Sequence, residues 1–287
     1  MKICRFNHDR IGIIRQQRVY DITPIFHDIP PAHWPTPPVD WMISHFPDIA
    51  SQLGANWERL ENYPLEQVSL NAPVANPGKI VAAPINYRDH IAEANADQQI
   101  NHGKVYTDIS EYGLFLKANS SLCGPNEIIP LPIPGRRTDP EVELAVIIGQ
   151  RARNLPVDQA LEAVFGYAIG IDMTVRGSEF PSFRKSADGF SVLGPWIVTP
   201  DEIGDPNTLD LSIRVNGQLR QHSNTRHLIY NVQRLIAYAS AMFTLWPGDV
   251  IYTGTPSGVS AIQAGDRIEV SIERIGAMSV TIADSVP

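Results

Sequence analysis

Three acidic residues stand in positions where they could share a metal ion. Glu141 and Glu143 occur in the stretch 139–149, whose apolar, β-branched second half predicts a buried strand. Residues two apart on a strand project from the same face, so the two carboxylates point the same way. Adjacent like charges raise at least one pKa or require a compensating cation, and a hard divalent ion is a common solution. The spacing therefore indicates a metal site.

A third acid, Asp172, ends a second predicted strand over residues 164–172. Alternation puts Gly166, Ala168 and Gly170 on the same face as Asp172, so that face is nearly bare. We expect this face to leave room for something other than side chain. The alternative is that the acidic pair lies on a solvated strand face, where most charged residues are found.

A possible base lies earlier in the chain, on a helix predicted within residues 86–94. His90 and Glu93 are three residues apart there, so the carboxylate can orient the imidazole and raise its basicity, although such pairs are also common on surfaces. The stretch 97–112 is polar and expected to be irregular, which makes it a candidate lid. Lys185 lies in a cationic loop with no acidic neighbour in sequence nearer than Asp188, so we expect its charge to be free for a substrate.

Composition narrows the class of protein. The chain has 287 residues, 43% of them hydrophobic and 19% charged, which is ordinary for a soluble globular protein. A net charge of −8 without runs of Lys or Arg argues against nucleic acid and anionic membranes as partners and favours a small molecule. Cys4 and Cys123 lie in no motif, and there is no signal-peptide core or membrane-spanning stretch, so we expect a cytoplasmic protein.

The pattern of elements predicts two domains, a small one over residues 1–70 and a larger one over 71–287. Three short strands within residues 2–22 predict an antiparallel meander, and apolar spacing predicts a helix over residues 42–60. Residues 71–78 are rich in Pro and Gly and read as a linker.

The larger domain begins with a predicted strand over residues 79–83. Near its end, Asn216-Gly217 predicts a hairpin turn, and Asn224 or Thr225 is expected to cap the helix that follows.

Five motifs, taken together and in this order, resemble the fumarylacetoacetate hydrolase family. They are residues 86–90 (NYRDH), 115–117 (FLK), 141–149 (EVELAVIIG), 170–174 (GIDMT) and 247–256 (PGDVIYTGTP). The resemblance runs from about Lys79 to Ile282 and covers most of the chain. It implies an α+β, mixed-β fold with a β-roll C-terminal domain, a small N-terminal α+β module and a homodimer.

The resemblance also assigns roles to residues. It implies Mg²⁺, with Mn²⁺ or Ca²⁺ as alternatives, held by Glu141, Glu143 and Asp172. It implies that His90 and Glu93 form a general-base dyad and that Lys185 is a catalytic residue facing the substrate. The substrate-binding residues that it implies are Arg88, Lys117, Arg176 and Thr255, the last for a carboxylate.

The chain departs from the family pattern in three places. Longer members carry a fourth acidic ligand where this chain has residues 83–85 (Ala-Pro-Ile), so we expect water to complete the metal shell. Gly177 follows Arg176 where the family usually has Asp. Ala187 replaces the Phe of the usual Lys-Ser-Phe-Asp, which leaves space for a bulkier or differently shaped substrate.

These parts predict hydrolysis of the C–C bond of an acylpyruvate in aromatic-compound catabolism. The dyad would activate water, and a metal would stabilise the departing enolate. The same parts suit isomerisation of a 2-hydroxydienoate or decarboxylation of a 2-oxo diacid. A non-catalytic acid-binding member is a third possibility. The presence of both halves of the dyad favours the hydrolase.

Overall fold

A computed structural model describes residues 1–30, 35, 38–50, 53 and 59–284. The strands are β1 (Lys2–Phe6), β2 (Arg10–Arg15), β3 (Arg18–Asp21), β4 (Asn62–Pro64), β5 (Leu70–Asn71), β6 (Ile80–Ala82), β7 (Phe115–Lys117), β8 (Leu122–Cys123), β9 (Ile128–Pro130), β10 (Thr138–Asp139), β11 (Val142–Ile148), β12 (Val164–Asp172), β13 (Thr174–Val175), β14 (Ser191–Val198), β15 (Asp210–Val215), β16 (Gln218–Asn224), β17 (Val250–Tyr252), β18 (Arg267–Ile272) and β19 (Gly276–Ala283). The α-helices are α1 (Trp41–Ala50), α2 (Arg88–Ala96), α3 (Gln98–Asn101), α4 (Ile109–Tyr112), α5 (Pro181–Arg184), α6 (Pro200–Ile203) and α7 (Val232–Met242).

Three sheets organise these strands. The largest runs in the order β4-β3-β2-β1-β14-β12-β11-β17-β6-β7, with β5 paired to β1 and β8 to β14. A second sheet has the order β16-β15-β18-β19-β9, and β10 pairs with β13. Strands dominate and helices are few and short, so the expectation of a mixed α+β fold is confirmed. Among the described residues no helix is both long and apolar enough to cross a lipid bilayer.

The strands that carry the acidic residues lie in the middle of the largest sheet. Every residue of β11 is buried, as expected of a strand covered on both faces, and apart from Glu143 its sequence is entirely apolar. It pairs antiparallel with β12, where Glu143 lies opposite Gly170, and on its other side with β17. This pairing places the ends of β11 and β12 side by side.

The largest sheet also crosses the predicted domain boundary. The meander of β1, β2 and β3 is antiparallel, as expected, and β1 continues into the central sheet by pairing with β14. One hydrophobic cluster joins Ile3 and Ile43 to Ala145 and Ile197. Backbone pairing is thus continuous between the two parts of the chain. The division into two domains at residue 70 therefore stays a prediction.

Three local predictions differ from the structure. Helix α1 covers only part of the predicted 42–60 helix, most of whose remainder lies outside the described residues. Asn224 caps a short 3-10 turn, whereas α7 is capped by Asn231, whose side chain accepts a hydrogen bond from the Arg234 N–H. The stretch 97–112 was expected to be irregular but contains α3 and α4.

The bare face of β12 is filled by side chains, so the expectation that it leaves room for something else was wrong. A Cβ on Gly170 would lie 2.6 Å from the ring of Tyr252, and one on Gly166 would lie 2.4 Å from Ile197. Tyr252 is buried on β17, and its hydroxyl donates to the Val192 carbonyl at 2.7 Å. The small residues of β12 make space for these side chains from neighbouring strands.

We expect Gly170→Ala to lower the free energy of unfolding by about 1–3 kcal/mol, the usual cost of overpacking a core. The added methyl group meets the Tyr252 ring and displaces it. Chemical denaturation monitored by circular dichroism measures the change. Combining Gly170→Ala with Tyr252→Leu should cost less than the sum of the two single variants, because the smaller side chain relieves the clash. An additive result would contradict the proposed contact.

Candidate active site

Three carboxylates converge at the adjacent ends of β11 and β12. Glu143 is on β11, Glu141 is the residue immediately before that strand, and Asp172 is the last residue of β12. One oxygen from each residue lies within 4.8 Å of the others, and all three residues are at most 3% exposed. The backbone N–H of Asp172 donates to the Glu141 carbonyl at 2.9 Å, which fixes the two chain segments against each other. The predicted convergence is therefore present.

Three cations are paired with these carboxylates. Lys185 Nζ lies 2.7 Å from both Glu141 Oε2 and Asp172 Oδ2. Arg176 Nη2 donates to Glu141 Oε1 at 2.7 Å, and buried Lys117 donates to Asp172. The expectation that no acid closer than Asp188 uses the charge of Lys185 was wrong. Its long side chain reaches back from the end of α5 to carboxylates that are distant in sequence.

The three cations do not neutralise the three carboxylates equally. Burial alone would raise the pKa of Glu141, but Lys185 and Arg176 outweigh that effect and hold its pKa well below the usual value. The pKa of Glu143 is raised well above its usual value by burial and by the charges of Asp172 and Glu141. Its Oε2 accepts a 2.5 Å hydrogen bond from the backbone N–H of Gly254. Glu143 is thus the least neutralised member of the cluster.

The donor set fits a hard divalent cation. Mg²⁺ and Mn²⁺ favour carboxylate oxygens, and three such groups converge here in a buried position. A cation close to Glu143 would relieve the repulsion that raises its pKa. Glu141, Glu143 and Asp172 are the residues that would hold such an ion.

The predicted pairing of His90 with Glu93 is present on α2. His90 is 3% exposed, and its Nδ1 lies 2.9 Å from Glu93 Oε2. The other oxygen of Glu93 accepts a 2.8 Å hydrogen bond from the backbone N–H of Gly258. Glu93 is therefore fixed at both oxygens, and its contact with Nδ1 leaves Nε2 as the ring nitrogen available to a ligand.

A cavity of about 450 Å³ adjoins these groups. Its wall includes both the candidate base and members of the charged cluster, together with apolar side chains. The lining residues include His90, Glu141, Arg176, Arg184, Lys185, Ile85, Ile100 and Phe115. Residues of the 97–112 stretch, named the lid segment here after its predicted role, also line it, and that role stays a prediction. Its volume lies in the range of small-molecule sites.

The four residues expected to bind substrate have different surroundings. Arg176 lines the cavity but is held by Asp139 and Glu141. Lys117 is buried against Asp172, and Arg88 is exposed at the start of α2; neither lines the cavity. Thr255 is also absent from the wall. Its hydroxyl donates to the Val142 carbonyl and accepts from Gln221 Nε2, each at 2.9 Å.

Sequence reasoning missed the role of Asp139. This fully buried carboxylate accepts from Arg176 Nε at 2.7 Å and from Arg137 Nε at 2.8 Å. Arg137 in turn contacts Asp97, at the start of the lid segment, at 2.7 Å. An acid two residues before Glu141 was the available signal, because alternation puts it on the same side of the chain.

Gly177, where the family usually has Asp, has a structural explanation. A Cβ at this position would lie 1.7 Å from Arg136 Nη2 and 2.1 Å from Glu179 Oε2. Arg136 and Glu179 form a two-point ion pair with distances of 2.6 and 2.8 Å. The glycine leaves room for this pair.

Comparison with known proteins gives concordant results. Residues 79–283 match the family model described as "Fumarylacetoacetate (FAA) hydrolase C-terminal". A maleylpyruvate hydrolase from Aquipseudomonas alcaligenes is 49% identical over 284 residues, which are 98% of this chain and 99% of that protein. A 2,4-didehydro-3-deoxy-L-rhamnonate hydrolase from Sphingomonas sp. SKA58 is 40% identical over 74% of this chain and 75% of its own length.

A solved structure is similar over the whole chain. It is a maleylpyruvate hydrolase from Sphingobium sp. SYK-6 in complex with manganese(II) ion and pyruvate. It shares 40% sequence identity with a TM-score of 0.85, and the match covers all of both chains.

We expect Glu143→Gln to weaken Mn²⁺ binding by at least about 10²-fold, because it removes an anionic oxygen donor from the cluster. Isothermal titration of chelator-treated protein measures the affinity directly, without reference to activity. The matched control is Glu162→Gln, an exposed glutamate remote from the cluster, which should bind as the unmutated protein does. Equal affinities in all three proteins would exclude Glu143 as a ligand.

Proposed function

Because the chain belongs to the fumarylacetoacetate hydrolase family, we propose that it is a divalent-metal-dependent hydrolase cleaving the C–C bond of an acylpyruvate in aromatic-compound catabolism. The observation that carries this proposal is one cavity lined by both His90 and Glu141. A base and an acidic cluster on the same cavity suit a reaction that needs activated water at one carbon and charge stabilisation at another.

His90 is the base in this proposal. Glu93 holds Nδ1, so Nε2 accepts a proton from water as the water oxygen adds to the acyl carbonyl carbon. The bond from that carbon to C3 of the pyruvate unit then breaks, and its electron pair moves to C3. The protonated His90 returns its proton to C3, which gives pyruvate and a carboxylic acid.

The 2-oxo acid end of the substrate is directed to the carboxylate cluster. A divalent ion held by Glu141, Glu143 and Asp172 would supply positive charge there for the 2-oxo acid oxygens and for the negative charge that develops as the C–C bond breaks. Lys185 lines the cavity, and its ammonium group lies 2.7 Å from Glu141 and Asp172. From that position it favours negative charge developing on the substrate, while it also orients the two carboxylates.

The hydrolase is favoured over an isomerase or a decarboxylase by the restraint on His90. Those two reactions require an enolate but no attacking water. Two hydrogen bonds to Glu93 and burial of His90 prepare a single ring nitrogen for proton transfer at the cavity wall. Such preparation suits the activation of a water molecule.

We also propose Mg²⁺ as the usual ion, a cytoplasmic location and a homodimer with a small N-terminal module over residues 1–70. The homodimer is supported by Phe180, which immediately precedes α5, and Phe183, which lies on it; they are 82% and 66% exposed. Exposed aromatic side chains of this kind are enriched in protein interfaces.

We expect His90→Ala to lower kcat for acylpyruvate hydrolysis by about 10²–10⁴-fold, the range typical of losing a general base. Metal affinity should change little, because the hydrogen bond of His90 is to Glu93 and three other cations are paired with the cluster. Steady-state kinetics and metal titration of the same preparation measure the two quantities. His45→Ala, on α1 outside the cavity wall, is the matched control. A comparable loss of metal affinity would make His90 a ligand instead.

We expect Lys185→Met to lower hydrolysis by about 10²–10³-fold, the effect of removing one charge-stabilising donor. Deuterium exchange at C3 of bound pyruvate, followed by NMR, should fall much less, because it forms no charge at an acyl carbonyl. Metal titration of the variant controls for lost orientation of Glu141 and Asp172. An equal fall in hydrolysis and exchange would assign Lys185 to orientation, and exchange without any hydrolysis in the unmutated protein would favour the isomerase or decarboxylase.

A further inference from the structure

Arg184 is a cation of the cavity wall that the mechanism above leaves unused. It ends α5 immediately before Lys185, and its side chain is partly buried. Its Nε donates to the Glu179 carbonyl at 3.2 Å, and Nη1 makes a long 3.5 Å contact with the Val175 carbonyl. Over the described ranges, no carboxylate forms an ion pair with it within 4.0 Å.

The acids around Arg184 are already paired with other cations. Glu179 is bound at both oxygens by Arg136. Glu141 is shared between Arg176 and Lys185. Burial and the nearby positive charge of Arg176 lower the pKa of Arg184, and the negative charges of Glu141 and Asp172 offset this only in part.

Arg184 therefore differs from the two other cations beside the acidic cluster. Arg176 and Lys185 also line the cavity, but each contacts two carboxylates of the protein. Lys104, a further lining cation, belongs to the lid segment and is exposed. Among these four, Arg184 is the one that is both partly buried and without an acidic partner. A guanidinium in such a position suits an anionic group of a ligand, because it can bind a carboxylate at two points.

The position of the acidic cluster indicates which end of the ligand this anion occupies. In the proposed function, the 2-oxo acid end lies at Glu141 and its neighbours. Apolar residues Ile85, Ile100 and Phe115 also line the cavity and suit the hydrocarbon part of an acyl group. An anion at Arg184 is then a separate charge, carried by the acyl group.

We propose that Arg184 binds a second carboxylate at the acyl end of the substrate, so that the enzyme selects dicarboxylic acylpyruvates over monocarboxylic ones. The inference rests on the proposed function and makes it more specific. It assigns Arg184 to substrate selection and His90 to proton transfer.

Two substrates that differ in one group test the inference. Succinylpyruvate carries a terminal carboxylate, and butanoylpyruvate has a methyl group in its place. We expect the unmutated enzyme to prefer succinylpyruvate in kcat/KM. Arg184→Met should lower that preference by about 10²-fold, mainly through KM, because a charged hydrogen-bonded pair is lost. Arg184→Lys should recover part of it, and Arg214→Met, on the remote strand β15, should leave it unchanged.

Two outcomes of the kinetic test contradict the inference, and a third moves the decision to a binding measurement. If Arg184→Met lowers kcat/KM equally for both compounds, Arg184 supports the structure of the wall and does not select the substrate. If the unmutated enzyme cleaves butanoylpyruvate as well as succinylpyruvate, there is no second carboxylate site. If it cleaves neither, the proposed hydrolase has failed, and calorimetric titration with the same two compounds still decides the matter. Equal affinity of the unmutated protein for both would then overturn the site.

Discussion

The burial of three carboxylates at the adjacent ends of two strands is the constraint on which the rest of the site depends. Two unit charges about 5 Å apart repel by on the order of 3 kcal/mol at the effective dielectric constant typical of proteins. Several such repulsions are comparable to the whole stability of a domain. Three cations from different segments of the chain offset this repulsion by forming ion pairs with the carboxylates: Lys117, Arg176 and Lys185. The fold is arranged so that these segments meet at the ends of β11 and β12.

The part of the site that follows local patterns could be predicted from the sequence. Alternation along a strand was enough to bring Glu141 and Glu143 together, and helical spacing was enough to pair His90 with Glu93. Both strands, β11 and β12, were evident as apolar runs. These relations involve residues only two or three positions apart, so the geometry of one element determines them.

The missed parts involve contacts between distant segments. Lys117 and Asp172 are 55 residues apart, and no local rule relates them. Thr255 matched a motif, but its hydroxyl is occupied by β11 and by Gln221, which the motif does not include. The bare face of β12 was interpreted without Tyr252, because the pairing of β17 beside β11 cannot be derived from either strand alone. Long side chains and strand order are tertiary properties.

The pairing of one cation near the cavity determines which carboxylates remain for the next. Gly177 leaves the space that Arg136 occupies, and Arg136 then takes both oxygens of Glu179. Glu179 is consequently unavailable to Arg184, which lies five residues further along the chain. A backbone position without a side chain thus influences which guanidinium faces the cavity without a partner.

The pairing of β1 with β14 bears on how proteins of this architecture can exchange parts. Lys2 and Ile3 lie opposite Val198 and Ile197, so the first strand is bonded to the neighbour of β12 through main-chain groups. Main-chain hydrogen bonds are the same for every side chain except proline. Chimeric chains made by transplanting the N-terminal segment between relatives would therefore need matching strand register between β1 and β14 more than matching sequence. We expect this strand pairing to tolerate recombination while β11 stays enclosed.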